Sequence, residues 1–120
     1  MAPVHIVEWS GEEKRKHKRA PLHVAIECRA GQTTLEARAE NVSISGLLIR
    51  TETPFAEDAE IAIRFSLPTA SSEAIHCRAR VAHTVPDAFM GIEFLDLPQE
   101  SLDRIEKYIA AAPALQGKKQ

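Results

Sequence analysis

Apolar and polar residues alternate with a period of two over most of this chain, which is typical of half-buried β-strands. The apolar phase of the first alternating segment consists of Leu22, Val24, Ile26 and Cys28. A turn at Ala30-Gly31 leads into a second segment, whose apolar phase is Leu35, Ala37 and Ala39. We therefore expect these two segments to pair as a β-hairpin.

Four more segments continue the series of strands. The run "LLIRT" (residues 47–51) is more thoroughly apolar and suits a strand that is covered on both faces over part of its length. The other three alternate, with apolar positions at Ile61, Ile63, Phe65 and Leu67, then at Ile75, Cys77, Ala79 and Val81, and last at Met90, Ile92 and Phe94. The short connections "TPFAED", "LPTASSE" and "VPDA" suit an antiparallel meander or a Greek key. Six strands with no helix between them predict a mainly β fold, either a small closed barrel or a sandwich.

The last part of the chain changes to a helical period. Within "LPQESLDRIEKYIAAA" the apolar side chains recur three or four residues apart, at Leu102, Ile105, Tyr108 and Ile109. Acidic residues come early and Lys107 comes late, as the helix dipole favours, and Pro113 with the polar "QGKKQ" ends the element. This pattern predicts a C-terminal amphipathic α-helix that packs on the sheet structure or plugs its open end.

The composition is that of one globular domain, with 120 residues of which 44% are hydrophobic and 27% charged. We expect an N-terminal extension over residues 1–13, the barrel with its helix over residues 14–110, and a polar tail over residues 111–120. The first ten residues include Val4, Ile6 and Val7. These leave both an added edge strand and a flexible extension open.

No apolar run approaches the roughly 20 residues that cross a bilayer. The N-terminal charges follow the short apolar stretch, whereas in a signal peptide they precede it. We therefore expect a cytoplasmic protein without a transmembrane segment. Cys28 and Cys77 both fall on apolar phases, where a disulfide and two reduced core thiols are both possible, and a cytosolic setting favours the thiols.

Enzyme motifs are missing from the sequence. The five histidines are scattered without zinc-type spacing, there is no C-x-x-C, and no Walker A, G-x-G-x-x-G or G-x-S-x-G motif occurs. His76 lies on the polar phase of its segment, as a surface histidine does. These observations predict a non-enzymatic protein with no metal and no cofactor.

Cations are concentrated in one stretch, since five of the fifteen lysines and arginines lie within residues 14–19. Such a stretch could be a solvated arm, a nucleic-acid arm, a membrane-surface anchor or a clamp for a small anionic ligand. A pI near 6.2 argues against a dedicated binder of duplex DNA. Large apolar residues, which membrane-surface helices interleave with their cations, are absent from the stretch. The planar guanidiniums of Arg15 and Arg19 can make bidentate bonds to phosphates and to the O6/N7 edge of guanine.

The hexapeptide "NVSISG" (residues 41–46) allows two interpretations. In the first it is a turn or bulge in which Asn41 and Ser43 bond to the local backbone and Gly46 takes a positive φ. In the second its short polar side chains and exposed amides form a pocket for a phosphate or a base edge.

Together these stretches resemble the PilZ domain, a bacterial receptor for cyclic di-GMP. The family has R-x-x-x-R before its first barrel strand and D/N-x-S-x-x-G about twenty residues later. Residues 15–19 ("RKHKR") and 41–46 ("NVSISG") are similar to these motifs, and "CRARVAH" and "MGIEF" to the family's late strands. The resemblance extends from about Lys14 to Tyr108. It implies a six-stranded antiparallel β-barrel with a C-terminal amphipathic α-helix.

The resemblance also implies a ligand and a mechanism. Arg15 and Arg19 would bind the guanine Hoogsteen edges and phosphates of cyclic di-GMP, while Asn41, Ser43 and Gly46 would form the facing surface. Lys14 and Lys18 would be auxiliary, Lys14 being a position that in this family influences whether one ligand or an intercalated pair binds. On this hypothesis the arm of residues 10–19 orders on binding and signals to an unidentified effector protein, from a monomer or weak dimer.

Two other functions stay open at this point. A PilZ-like protein–protein adaptor in motility or pilus regulation would keep the motifs with weak or no nucleotide binding. A single-stranded nucleic-acid-binding barrel needs exposed aromatic rings for base stacking. This alternative is disfavoured because Phe65, Phe94 and Tyr108 fit core positions better.

Overall fold

The computed structural model describes residues 18–69 and 73–112, and these form six antiparallel strands and one helix. The elements are β1 (Ala20–Ala30), β2 (Thr33–Val42), β3 (Gly46–Arg50), β4 (Glu60–Phe65), β5 (Ile75–Val85), β6 (Phe89–Phe94) and α1 (Gln99–Ala111). All six predicted strands and the predicted helix are therefore confirmed.

The strands close into a barrel in the order β1-β2-β3-β6-β5-β4. Closure comes from the pairing of β1 with β4, in which Cys28 is the register partner of Ile63. This pairing decides between the barrel and the sandwich that the alternation allowed. Because β3 pairs with β6 and not with β4, residues 51–59 cross from one side of the barrel to the other.

The barrel interior is filled by the inward phase of every strand. Its fully buried side chains are mostly branched aliphatic, among them Leu47, Ile49, Ile75 and Val81, together with the unbranched Met90. Burial on this scale is the main stabilising term of such a small domain. The alternation predicted which side chains face the core, because a closed barrel has one inner and one outer face. Some of these side chains are only half-buried against the core: Val24, Leu35, Ala37, Cys77 and Phe94.

Three bulges interrupt the alternation, and none was predicted. One extra residue enters β1 between Pro21 and Val24, one enters β2 between Ala39 and Asn41, and one enters β5 between Val81 and His83. The bulge in β5 lets this strand stay paired with β6 as far as Val85. The apolar phase of the sequence had indicated an end at Val81. The turn predicted at "VPDA" is correspondingly shorter and comprises residues 86–88.

Helix α1 packs on the barrel through Ile105 and Ile109, which are buried in the same apolar cluster as the strand residues. The predicted acidic residue in the first turn is present as Glu100. No basic residue lies in the last turn, because α1 continues past Lys107 to Ala111. Pro113 and the tail that follows lie outside the described residues.

The two cysteines are free thiols, and the strand register explains why. Cys28 and Cys77 both pair with Ile63 of the strand between them, so they stand two strand spacings apart, roughly 10 Å. A disulfide needs Cα atoms within about 7 Å. Of the two expected core thiols, Cys28 is buried and Cys77 is half-buried.

Candidate functional site

The two sequence motifs meet at one end of the β1–β2 hairpin. Pro21 at the start of β1 is the register partner of Asn41 near the end of β2. This register brings Arg19, two residues before Pro21, beside the same amide, and Nη1 of Arg19 donates to Oδ1 of Asn41 at 2.9 Å. Both side chains are half-buried. Asn41 thus bonds to Arg19, whereas the turn interpretation expected it to bond to the local backbone.

The turn between β2 and β3 is organised by Ser43. Its backbone N–H donates to the carbonyl oxygen of Gly46 at 2.9 Å, which closes the turn. Its Oγ accepts the backbone N–H of Ser45 at 3.1 Å and lies 2.9 Å from the hydroxyl of the same residue. Ser43 is completely buried, and its predicted local hydrogen bond is confirmed.

The expectation that Gly46 takes a positive φ is wrong. Among the described glycines a positive φ occurs at Gly31, in the β1–β2 turn, and not at Gly46. Gly46 is needed for a different reason: a Cβ at this position would lie 1.9 Å from the carbonyl oxygen of Ile92. The glycine therefore lets β6 approach the end of the turn closely.

A polar cluster braces the hairpin just beside the Arg19–Asn41 bond. His23 and Glu40 lie at the bulges of β1 and β2, and Nδ1 of the imidazole is 3.0 Å from Oε1 of the carboxylate. The same carboxylate accepts from Nε of Arg50 at 3.1 Å and lies 3.9 Å from Nε of Arg38. His23 adopts a φ of 53°, which a regular strand would not allow. Sequence reasoning missed this cluster because bulges become visible only once the pairing partners are known.

Helix α1 supports the same end of β1. The hydroxyl of Tyr108 donates to the carbonyl oxygen of Pro21 at 2.5 Å, and burial raises the pKa of this phenol. Tyr108 was predicted as a core residue, and it does pack against the core while its polar tip reaches the strand next to Arg19. The helix therefore helps to position β1, the strand that directly follows the first motif.

Of the predicted site residues, the structure brings together Arg19, Asn41, Ser43 and Gly46. Lys18 is exposed beside them. Lys14 and Arg15 lie outside the described residues, as does the rest of the arm before Lys18. No group of three or more potential metal ligands occurs in the part of the chain that the structure describes.

Outward positions on the far side of the barrel carry a network of ion pairs. Arg78 binds Glu60 at 2.8 Å and Asp96 at 2.9 Å, and Arg80 binds Asp58 at 3.0 Å and also Glu93. Exposed pairs of this kind contribute little to stability individually. These arginines are already engaged by carboxylates, which lowers the capacity of this face to bind an anion.

One histidine and three aromatic residues lie where the sequence predicted, at the surface and against the core respectively. His76 is exposed, as predicted. Phe65 is buried, and Phe94 and Tyr108 pack against the core, which confirms their expected roles. Within residues 18–69 and 73–112, no helix has the length and apolar character to cross a membrane.

Comparison with protein families gives one match over most of the chain. The family described as PilZ domain matches residues 13–111, which include both motifs, all six strands and α1. No curated protein matches the chain.

Solved structures with the same fold include a motility inhibitor and two PilZ domains. The Bacillus subtilis inhibitor of motility (MotI/DgrA) superposes with a TM-score of 0.73 at 13% identity, over 80% of this chain and 49% of that one. The present chain therefore spans about half the length of that protein. The PilZ domain of YcgR from Escherichia coli, solved with c-di-GMP, gives a TM-score of 0.63 at 16% identity, over 82% of this chain and 91% of that one. The PilZ domain of CeSA from a cellulose-synthesizing bacterium gives 0.59 at 17% identity, over 77% and 94%.

Proposed function

This chain belongs to the PilZ domain family, and on that premise we propose that it is a cyclic di-GMP-binding sensor that signals to a partner protein. The observation that carries the proposal is the bond of 2.9 Å between Arg19 and Asn41, which joins the two motifs in one place. A structure of this fold solved with c-di-GMP, that of YcgR, supports the choice of ligand.

The chemistry of the site suits a dinucleotide with two phosphates. The guanidinium of Arg19 carries five N–H donors in a planar fork, of which Nη1 makes the bond to Asn41. A fork of this shape can bond to a phosphate or to the O6/N7 edge of guanine while it keeps a bond to the amide. Lys18 adds positive charge beside it. Arg15 and Lys14, four and five positions earlier in the chain, would complete the cationic side of the site.

The proposed signal comes from the arm of residues 10–19. Cyclic di-GMP would draw this arm against the barrel, because charge-assisted bonds to the phosphates offset the conformational entropy that the arm loses. Arg19 gives the arm a fixed end, since it is held at Asn41 beside the paired start of β1. The rearranged surface of arm and barrel would then change a contact with the partner protein.

Isothermal titration calorimetry with cyclic di-GMP tests this proposal. We expect the unsubstituted chain to bind with a Kd on the order of tens of micromolar or tighter. Arg19→Ala should weaken binding by about tenfold or more, and Arg19→Lys should restore it only in part because lysine keeps the charge without the fork. Arg29→Ala is the matched control, since Arg29 is exposed at the opposite end of β1. A folded chain that releases no heat with the ligand would refute the proposal.

The second candidate is a protein–protein adaptor for motility or pilus regulation with weak or no nucleotide binding. It is favoured by the structural similarity to a protein described as an inhibitor of motility. A cellular assay separates the two functions: an adaptor would keep its phenotype when Arg15→Ala abolishes ligand binding, whereas a sensor would lose its response.

A further inference from the structure

Four residues on four adjacent strands form a continuous line across the barrel surface from the candidate site. In the strand register Asn41 of β2 pairs with Leu48 of β3, Leu48 pairs with Gly91 of β6, and Gly91 pairs with His83 of β5. We refer to these four residues as the outer row. Neighbouring strands are about 4.8 Å apart, so the outer row is roughly 14 Å long. That length can hold a base together with its phosphate.

The outer row faces away from the core. On three of the four strands its members alternate with fully or almost fully buried residues, namely Val42, Leu47, Ile49, Met90 and Ile92. On β5 the bulge between Val81 and His83 changes the phase, so that His83 comes opposite Gly91. Without this extra residue the imidazole would not lie in the outer row.

His83 and Gly91 are fitted to each other. A Cβ on Gly91 would lie 2.4 Å from Cε1 of His83, 2.8 Å from Nδ1 and 3.1 Å from Nε2. The imidazole thus occupies the space that any other side chain at residue 91 would fill, and it lies close to the β6 backbone. His83 is half-buried, so part of the ring stays accessible.

The outer row differs in chemistry from the ion-paired positions farther along the outer face of β4 and β5. Those positions carry Glu60, Arg64, Arg78 and Arg80, all of which make ion pairs. The outer row presents the amide of Asn41, the isobutyl group of Leu48 and the imidazole of His83, which covers Gly91, and Arg19 is bonded to Asn41. A cation followed by an apolar side chain and an aromatic ring matches a phosphate joined to a planar heterocycle.

We propose that the outer row is the base-binding floor of the site and that His83 is its stacking residue. The purine would lie over Leu48 with its face or edge against the imidazole that covers Gly91, while its phosphate stays at Arg19. This inference rests on the proposed function and adds to it a contact on β5, a strand that carries neither sequence motif.

The test is titration of cyclic di-GMP into His83→Ala and His83→Phe, with His76→Ala as the matched control. His76 is a histidine of the same strand that is exposed and pairs with Arg64, away from the outer row. His83→Ala should weaken binding about 5- to 150-fold, the range for loss of one base–aromatic stack. His83→Phe should stay within about threefold of the unsubstituted chain because it keeps a ring, and His76→Ala should bind unchanged.

A second measurement covers the case in which His83→Ala fails to fold. In the unsubstituted chain the imidazole C–H proton resonances of His83 should shift on addition of cyclic di-GMP, while those of His76 stay in place. The inference would be overturned if the unsubstituted chain bound cyclic di-GMP, the folded His83→Ala chain bound it equally well, and the His83 resonances did not shift. That result would leave the proposed function intact. Absence of any binding by the unsubstituted chain would overturn both.

Discussion

The α-carbon of Gly46 faces the carbonyl oxygen of Ile92 so closely that an added Cβ would lie 1.9 Å from that oxygen. The contact is backbone to backbone, so no side-chain rotation can relieve it. This contact joins the turn that carries the second motif to β6, the strand that pairs with β3.

Gly46→Ala should therefore lower the free energy of unfolding by about 2–3 kcal/mol, at the upper end of the cost of overpacking. Urea denaturation followed by circular dichroism measures this. The control is Gly31→Asn, because Gly31 has a φ of +60° with nothing within 4 Å of its added Cβ, and asparagine tolerates this conformation. If the free energy of unfolding fell by a similar amount in both variants, the close approach of β6 would not be the reason for a glycine at residue 46.

The bond between Arg19 and Asn41 should appear as a coupling energy. In a double-mutant cycle of Arg19→Ala and Asn41→Ala we expect about 1 kcal/mol of coupling in the free energy of unfolding, as for a half-buried bond to a charged donor. The same cycle with Arg29→Ala in place of Arg19→Ala should be additive within about 0.3 kcal/mol, because Arg29 lies at the other end of β1. Additivity in both cycles would mean that the bond does not contribute to stability.

Ordering of the arm on ligand binding should be reported by Trp9, the single tryptophan of the chain. This residue precedes the arm and lies outside the described residues. Its fluorescence emission should change in proportion to the occupancy measured by calorimetry. A flat emission titration alongside measurable binding heat would argue against coupled ordering while leaving ligand binding in place.

The two thiols should react slowly in the folded protein. Burial raises the pKa of Cys28 to about 12 and that of Cys77 to about 11, and the thiolate is the reactive form. At pH 8 we expect the half-buried Cys77 of the folded chain to react with a chromogenic disulfide about 100-fold more slowly than Cys77 of the chain unfolded in urea. Cys28 should react more slowly still. Cys28→Ala and Cys77→Ala assign the two rates. Equal rates with and without urea would contradict the burial of both thiols.

The free energy of unfolding should depend on pH through the carboxyl group of Asp96. The backbone N–H of Arg78 first, and then its guanidinium, lower the pKa of this carboxyl group. A lowered folded-state pKa means that the stabilisation is present above the pKa of the unfolded chain and is lost as the pH falls through the folded-state pKa. Asp96→Asn should therefore be less stable than the unsubstituted chain at pH 7, and the difference should shrink as the pH falls through the folded-state pKa of Asp96.

The control for this prediction is Asp87→Asn, at an exposed position with a φ of 64° that asparagine tolerates. Its free energy of unfolding at pH 7 should stay close to that of the unsubstituted chain. A constant difference between Asp96→Asn and the unsubstituted chain from pH 7 to pH 3 would exclude the carboxylate as the source of the acid dependence.

The inner face of the barrel could be predicted from the sequence because alternation depends on each strand alone. Ile61, Ile63 and Phe65 needed no knowledge of a partner to be assigned to the core. The bulges could not be predicted in this way, since the extra residue at His23 or Glu40 exists only relative to the opposite strand. The motifs indicated that Arg19 and Asn41 lie close together, as the bond between them shows. The support from Tyr108 could not be predicted, since it depends on where α1 docks.

Closure of the barrel also limits how a partner can recognise this domain. Every one of the six strands has a hydrogen-bonded neighbour on both sides, so the described strands offer no free edge to an incoming peptide. Recognition by β-strand addition, which reads mainly the backbone, is thereby disfavoured. A partner must instead recognise side chains on the outer wall or at the rim, which makes point substitutions there a direct way to map the interface.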